Sequence, residues 1–122
     1  MTKREIFNKI LSTCAEVCEV SKDDIVNGCR KADVSTARAL LVLWTDAAGF
    51  TTESMVKLCK CNNANSINAV RARIEPMWVE QFAFHLLAYD VGKRLLAFAH
   101  SIGEDFDLYK PLKRLSKATG KY

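Results

Sequence analysis

Apolar positions recur along this chain mostly at intervals of three and four, the spacing of one helix face. Ile6, Ile10, Leu11, Cys14, Val17 and Cys18 form such a stripe and predict a first helix over residues 3–19. Ser21 with Asp24 three residues on is a capping-box variant that should start a short second helix. Gly28 is placed to end it as a C-cap. A polar, basic connection over 29–33 leads to a third helix over 34–48, capped by Asp33 or Ser35 and stopped by Gly49. Thr51, with Glu53 behind it, opens a short fourth helix whose Met55, Val56, Leu58 and Cys59 face inward. Asn62 and Asn63 suit a turn and a cap, and a fifth helix should follow over 64–75. Pro76 should interrupt the pattern or open the next helix, a long one over 77–102, bent or weakened at Gly92 and ended by Gly103. Residues 104–122 lack a clear period, with a short basic helix over 111–117 as their candidate element.

The expected fold class is therefore all-α. The 5 glycines and 2 prolines are too few for a many-turned β-sandwich, and 122 residues suit one domain. Apolar residues at 49% and charged residues at 26% are ordinary for a globular chain. The absence of a G-x-x-x-x-G-K-[ST] loop excludes a P-loop ATPase or GTPase. No run approaches the ~20 apolar residues of a membrane span, and the most apolar region is broken by Glu80, Asp90, Lys93 and Arg94. Residues 1–9 are charged with no apolar core behind them, so the expected location is cytoplasmic, with the 5 cysteines reduced.

Net charge is +4, and its distribution is uneven. In the last fifteen residues Lys110, Lys113, Arg114, Lys117 and Lys121 face no acid. Such a segment could add salt-dependent affinity for nucleic acid, or serve only as a solubilising end.

The helices over 51–60 and 63–75, joined by about three residues, have helix-turn-helix proportions. That motif sets the first residues of its second helix against base edges in the major groove. Here those residues are Asn63, Ala64, Asn65, Ser66 and Asn68, with Asn62 in the turn as a further candidate contact; asparagine can pair bidentately with adenine, and serine can donate or accept. Arg71 and Arg73 could reach phosphates from later turns, and Arg30 and Lys31 form a second basic contact point.

With these residues in view, positions 4–77 resemble the C-terminal DNA-binding domain of the bacterial replication initiator DnaA. The resemblance runs through Val20-Ser21-Lys22-Asp23-Asp24-Ile25, then the basic loop and helix from Arg30-Lys31-Ala32-Asp33-Val34 through Ala37-Arg38-Ala39-Leu40. It continues at Gly49-Phe50-Thr51-Thr52-Glu53-Ser54-Met55 and at Asn65-Ser66-Ile67-Asn68-Ala69-Val70-Arg71-Ala72-Arg73-Ile74. It implies a Trp-repressor-like multi-helix fold containing the helix-turn-helix, with a long C-terminal helix added. It also implies that Arg30 reaches the minor groove or backbone, that Arg38 contacts phosphate, and that Asn65 and Ser66 stand at the family's two major-groove threonines. Arg73 matches a basic position late in the recognition helix. The family signature G-G-R-D-H-T-T reads Lys60-Cys61-Asn62-Asn63-Ala64-Asn65-Ser66 here, so its Arg, Asp and His are Asn62, Asn63 and Ala64. The initiator's own sequence preference should not carry over.

The organisation expected is a helix-turn-helix unit over 1–76, a packing or dimerisation helix over 77–103 and a basic tail over 104–122. The expected partner is double-stranded DNA, with a homodimer through residues 78–102, because a helix apolar on several faces must be buried on all of them. The alternative is a protein-interaction module that kept the fold without specific DNA binding. No enzyme, cofactor or metal site is expected. Cys14 and Cys18 share a helix face and Cys59 lies near Cys61, but this is not a zinc-finger spacing. His85 and His100 have no visible nucleophile partner, and Glu104, Asp105 and Asp107 lack the calcium-loop pattern.

Overall fold

A computed structural model describes residues 2–28, 31–60, 63–101 and 110–121. Among them are seven α-helices and no strand: α1 (Lys3–Cys18), α2 (Lys22–Asn27), α3 (Ala32–Ala47), α4 (Thr52–Leu58), α5 (Ala64–Glu80), α6 (Phe82–Ser101) and α7 (Lys110–Thr119). The chain is all-α, as its periodicity required.

Side-chain caps set four of the helix starts. Thr2 accepts the Glu5 N–H at 3.2 Å, Ser21 that of Asp24 at 3.1 Å, Thr51 that of Ser54 at 3.1 Å and Asn63 that of Ser66 at 3.3 Å. Each such cap contributes about 1 kcal/mol. Gly28, at φ 79°, closes α2 in the left-handed conformation. The start of α3 differs from expectation: it lies at Ala32 behind Lys31, which makes no side-chain cap. Asp33 acts from inside the first turn, accepting the Val34 N–H at 3.0 Å.

The centre of the molecule is α3. Every residue from Ala37 to Thr45 is buried, and α1, α2, α5, α6 and α7 all pack against it. The helix apolar on all sides is thus the Ala39-Leu40-Leu41-Val42-Leu43-Trp44 stretch, not the one over 77–102. Thr45 lies at its end with its hydroxyl returned to the Leu41 carbonyl at 2.8 Å.

Pro76 does not end α5. The helix continues to Glu80, because the stripe of Ile67, Val70 and Ile74 runs on to Trp78, which is fully buried. Burial of that indole outweighs the one backbone bond the proline removes. The break comes at Gln81, whose backbone is extended (φ −120°, ψ 98°). A unit boundary at 76 would therefore cut α5, and Trp78 belongs to α5 rather than to the helix after it.

Gly92 marks a close approach rather than a weak point. A Cβ there would sit 2.9 Å from Cζ2 and Cη2 of Trp44, so the absent side chain lets α6 lie against α3. Residues 110–119 form a helix docked by Leu112 and Leu115, both buried, and the Trp78 indole N–H donates to the Lys121 carbonyl at 3.3 Å. This part of the basic tail is packed onto the body instead of forming a free arm. The acidic cluster at 104–107 and Gly103 lie outside the described residues. No helix among the described residues is long and apolar enough to cross a membrane.

Candidate nucleic-acid interface

The α4–α5 pair presents one surface and buries the other. The chain leaves α4 through Cys59 and Lys60, the latter at φ 52°, and re-enters helix at Ala64 behind the Asn63 cap. Ile67, Val70, Ile74 and Trp78 fix the inner face of α5. At 100° per residue, Asn65, Ala69, Ala72 and Pro76 then lie along the opposite ridge, with Asn68 on one flank and Ser66 and Arg73 on the other. All seven are exposed. The alanines leave the backbone of that ridge accessible, and an alanine methyl can meet a thymine methyl.

The expected contact residues divide into three groups. Asn65, Ser66, Asn68 and Arg73 stand on this exposed surface, and Lys31 is exposed at the start of α3. Among the described residues Arg73 and Lys31 make no ion pair. Asn63 is also exposed, but its side-chain oxygen is occupied by the cap to Ser66. Arg30 and Asn62, with Cys29 and Cys61, lie outside the described residues.

Two arginines are taken up by the fold. Arg38 is buried, and its guanidinium donates to the Ile25 carbonyl and, at 3.1 Å, to the Val26 carbonyl. It satisfies the carbonyl acceptors of the last turn of α2, so the phosphate contact expected of it is corrected: a buried group turned inward onto two carbonyls is not presented to a solvent-side phosphate. Arg71 forms a two-pronged pair with Asp46, Nε to Oδ2 at 2.8 Å and Nη2 to Oδ1 at 2.9 Å. Its Nη1 donates to Thr52 Oγ1 at 3.1 Å and to Asn68 Oδ1 at 2.7 Å. The bond to Asp46 holds the guanidinium pKa above its ordinary value. Arg71 therefore ties α5 to the end of α3 and the start of α4, and it orients Asn68 so that its amide NH2 remains available.

The cations of the tail do have a defined position. Lys110, Lys113, Arg114 and Lys117 project from one side of α7, opposite Leu112 and Leu115. Lys110 and Arg114 share a cleft of about 360 Å³ with Arg71, Asp46 and Glu75, which puts the basic helix beside α5. This placement carries no motif, because the apolar positions that dock α7 are two leucines among lysines.

The other candidate chemistry stays apart. Burial pushes the Cys14 thiol far above its ordinary pKa, and burial with the nearby Asp33 charge pushes Cys18 up to about 11. Neither is a reactive thiolate at neutral pH. No cluster of three or more His, Cys, Asp and Glu able to hold a metal occurs among the described residues. His85 packs among Trp78, Phe82 and Tyr89 at ring distances of 4.8, 5.7 and 4.8 Å, whereas His100 is exposed. Beside that cluster Phe82 (55% exposed), Leu86 (54%) and Val79 (37%) leave an apolar patch at the α5–α6 junction.

No family model matches the chain, nor does any curated protein or solved structure. The functional reading rests on the residues themselves.

Proposed function

We propose that this protein is a non-catalytic binder of double-stranded DNA that reads sequence with the first turns of α5. In this reading α4 and α5 are a helix-turn-helix in a Trp-repressor-like arrangement similar to the initiator's DNA-binding domain. Regulation of transcription or replication in a bacterium, phage or mobile element is the role that fits. The observation that carries the proposal is the exposed polar row of Asn65, Ser66 and Asn68 at the capped start of a helix whose opposite face is buried. These side chains meet base edges, while Lys31, Arg73 and the α7 cations meet phosphates.

The apolar patch at Val79, Phe82 and Leu86 favours self-association as part of this reading. The 17-residue α5 carries the polar row at one end and the patch at the other, ~25 Å away. A two-fold axis at the patch keeps two such ends within ~50 Å, a range that includes the ~34 Å between half-sites one duplex turn apart.

Selection from a random duplex pool at near-physiological salt tests the proposal. A defined motif is the expected outcome, and a two-fold motif would accompany a dimer. Asn65→Ala or Ser66→Ala should relax preference at one base pair by ~1–3 kcal/mol. Absence of binding would overturn the reading and favour a protein-interaction module centred on the patch.

A further inference from the structure

A second basic surface, whose cations the DNA reading does not otherwise use, is assembled from three helices. Arg4 of α1, Lys22 of α2, and Lys57 of α4 with Lys60 just beyond it line one cleft of about 290 Å³, with Asp23 as its acid. All four cations are exposed, and among the described residues none is paired with a carboxylate. This separates them from Arg71 and Arg38, whose donors are taken up by Asp46 and by backbone carbonyls. Asn8 and Asn27 add amide donors at the walls, and Phe7 and Leu11 contribute to the apolar lining.

Four unpaired positive charges around a concave surface repel one another and raise the local potential. A concentrated anion is the ligand that relieves this. The cleft has room for roughly ten water volumes, enough for a backbone phosphate with its sugar. Its position names the source of that phosphate. Lys60 precedes the Asn63 cap of α5 by three residues, at most ~11 Å of chain. A duplex engaged by the start of α5 must pass beside the end of α4.

We propose that this cleft, bounded by α1, α2 and α4, is a phosphate clamp for the DNA backbone flanking the site read by α5. The inference rests on the DNA-binding reading and adds to it a sequence-independent anchor. Arg4, Lys22, Lys57 and Lys60 hold the duplex in register and carry no base information. Asp23 opposes them and limits the strength of the grip.

Fluorescence anisotropy of the full chain on a labelled 30-base-pair duplex, at several salt concentrations from 50 to 200 mM, provides the test. Lys57→Gln with Lys60→Gln should lower the log–log salt slope by about 1.8 and weaken binding at 0.1 M salt by roughly 60-fold, at ~0.9 in slope per contact. Lys93→Gln, an exposed α6 charge outside the cleft, should move neither appreciably. Asp23→Asn should tighten binding several-fold on every duplex, a gain that misfolding cannot produce. Wild-type binding unaffected by the cleft substitutions would overturn the clamp and leave the role of α5 standing. A wild type that binds no duplex would overturn both. Tighter binding of single-stranded RNA than of duplex through the same lysines would overturn the assignment to duplex DNA.

Discussion

Arg38 separates a structural reading of the basic residues from a DNA-contacting one. Arg38→Met keeps the aliphatic stem in the core and removes the guanidinium. Two charge-assisted hydrogen bonds are lost, to the carbonyls of Ile25 and Val26, and the first of these residues is fully buried. Each bond of this kind contributes ~1.5–3 kcal/mol, and an orphaned buried carbonyl costs ~1–3 kcal/mol. Relief from burying a charge offsets part of that loss. The expected net destabilisation is about 2 kcal/mol, or roughly 6–10 °C in Tm for a chain of this length. Urea unfolding followed by helical circular dichroism should show a lower midpoint with an unchanged m value. Arg38→Lys should fall between, since both bonds come from one guanidinium nitrogen, Nη1, and the shorter lysine side chain stops short of its position. The DNA salt slope of correctly folded Arg38→Met should match wild type. An unchanged midpoint together with a slope lowered by ~0.9 would refute the reasoning and return Arg38 to the phosphates.

Gly92→Ala should lower stability by about 1 kcal/mol, because displacing the Trp44 ring costs ~1–3 kcal/mol against a helix-propensity gain of ~1 kcal/mol. A raised Tm would show that the α3–α6 contact yields freely. Pro76→Ala should raise stability by ~1–2 kcal/mol, restoring a backbone bond at an exposed position while loosening the unfolded chain; a lower Tm would mean that the ring itself supports α5. The raised pKa of Cys18 favours the neutral thiol in the folded state, so its contribution is complete below pH 9 and is lost as pH climbs towards 11. Comparing the pH dependence of wild type and Cys18→Ala by urea unfolding measures this, and parallel curves above pH 9 would contradict it.

Much of the fold was legible because local chemistry and tertiary burial agree. Ser21, Gly28 and Thr51 cap the helices their sequence neighbourhoods announce, and Ile67, Val70 and Ile74 give the inner face of α5. Misreadings arose where a local rule met a stronger distant contact. Pro76 reads as a stop, yet Trp78 two residues later is sealed in the core and carries the helix through. Gly92 reads as a weak point until Trp44, far away in sequence, is found against it. The lysines of residues 110–121 read as a loose end because the buried apolar positions among them are two leucines, Leu112 and Leu115, and the helices they pack against are α3 and α5.

The candidate interface shows the same limit more sharply, because a positive charge has no fixed role until its neighbours are known. Arg38, Arg71 and Arg73 look alike in a sequence and match expected DNA contacts equally well. The fold assigns the first to two carbonyls and the second to a carboxylate, leaving the third exposed. A guanidinium already bonded to Asp46 offers a phosphate little, since an exchange of anions must break one bidentate pair to make another. Lys57 and Lys60 carry no motif, but they reach solvent with no ion pair among the described residues, beside Arg4 and Lys22 from two other helices. Affinity for a polyanion depends on the cations that folding leaves unpaired, and their convergence from α1, α2 and α4 is a property of the packing rather than of any local pattern. The row proposed to read bases escapes this limit because Asn65, Ser66 and Asn68 lie within two turns of one helix, where spacing alone sets their common exposure.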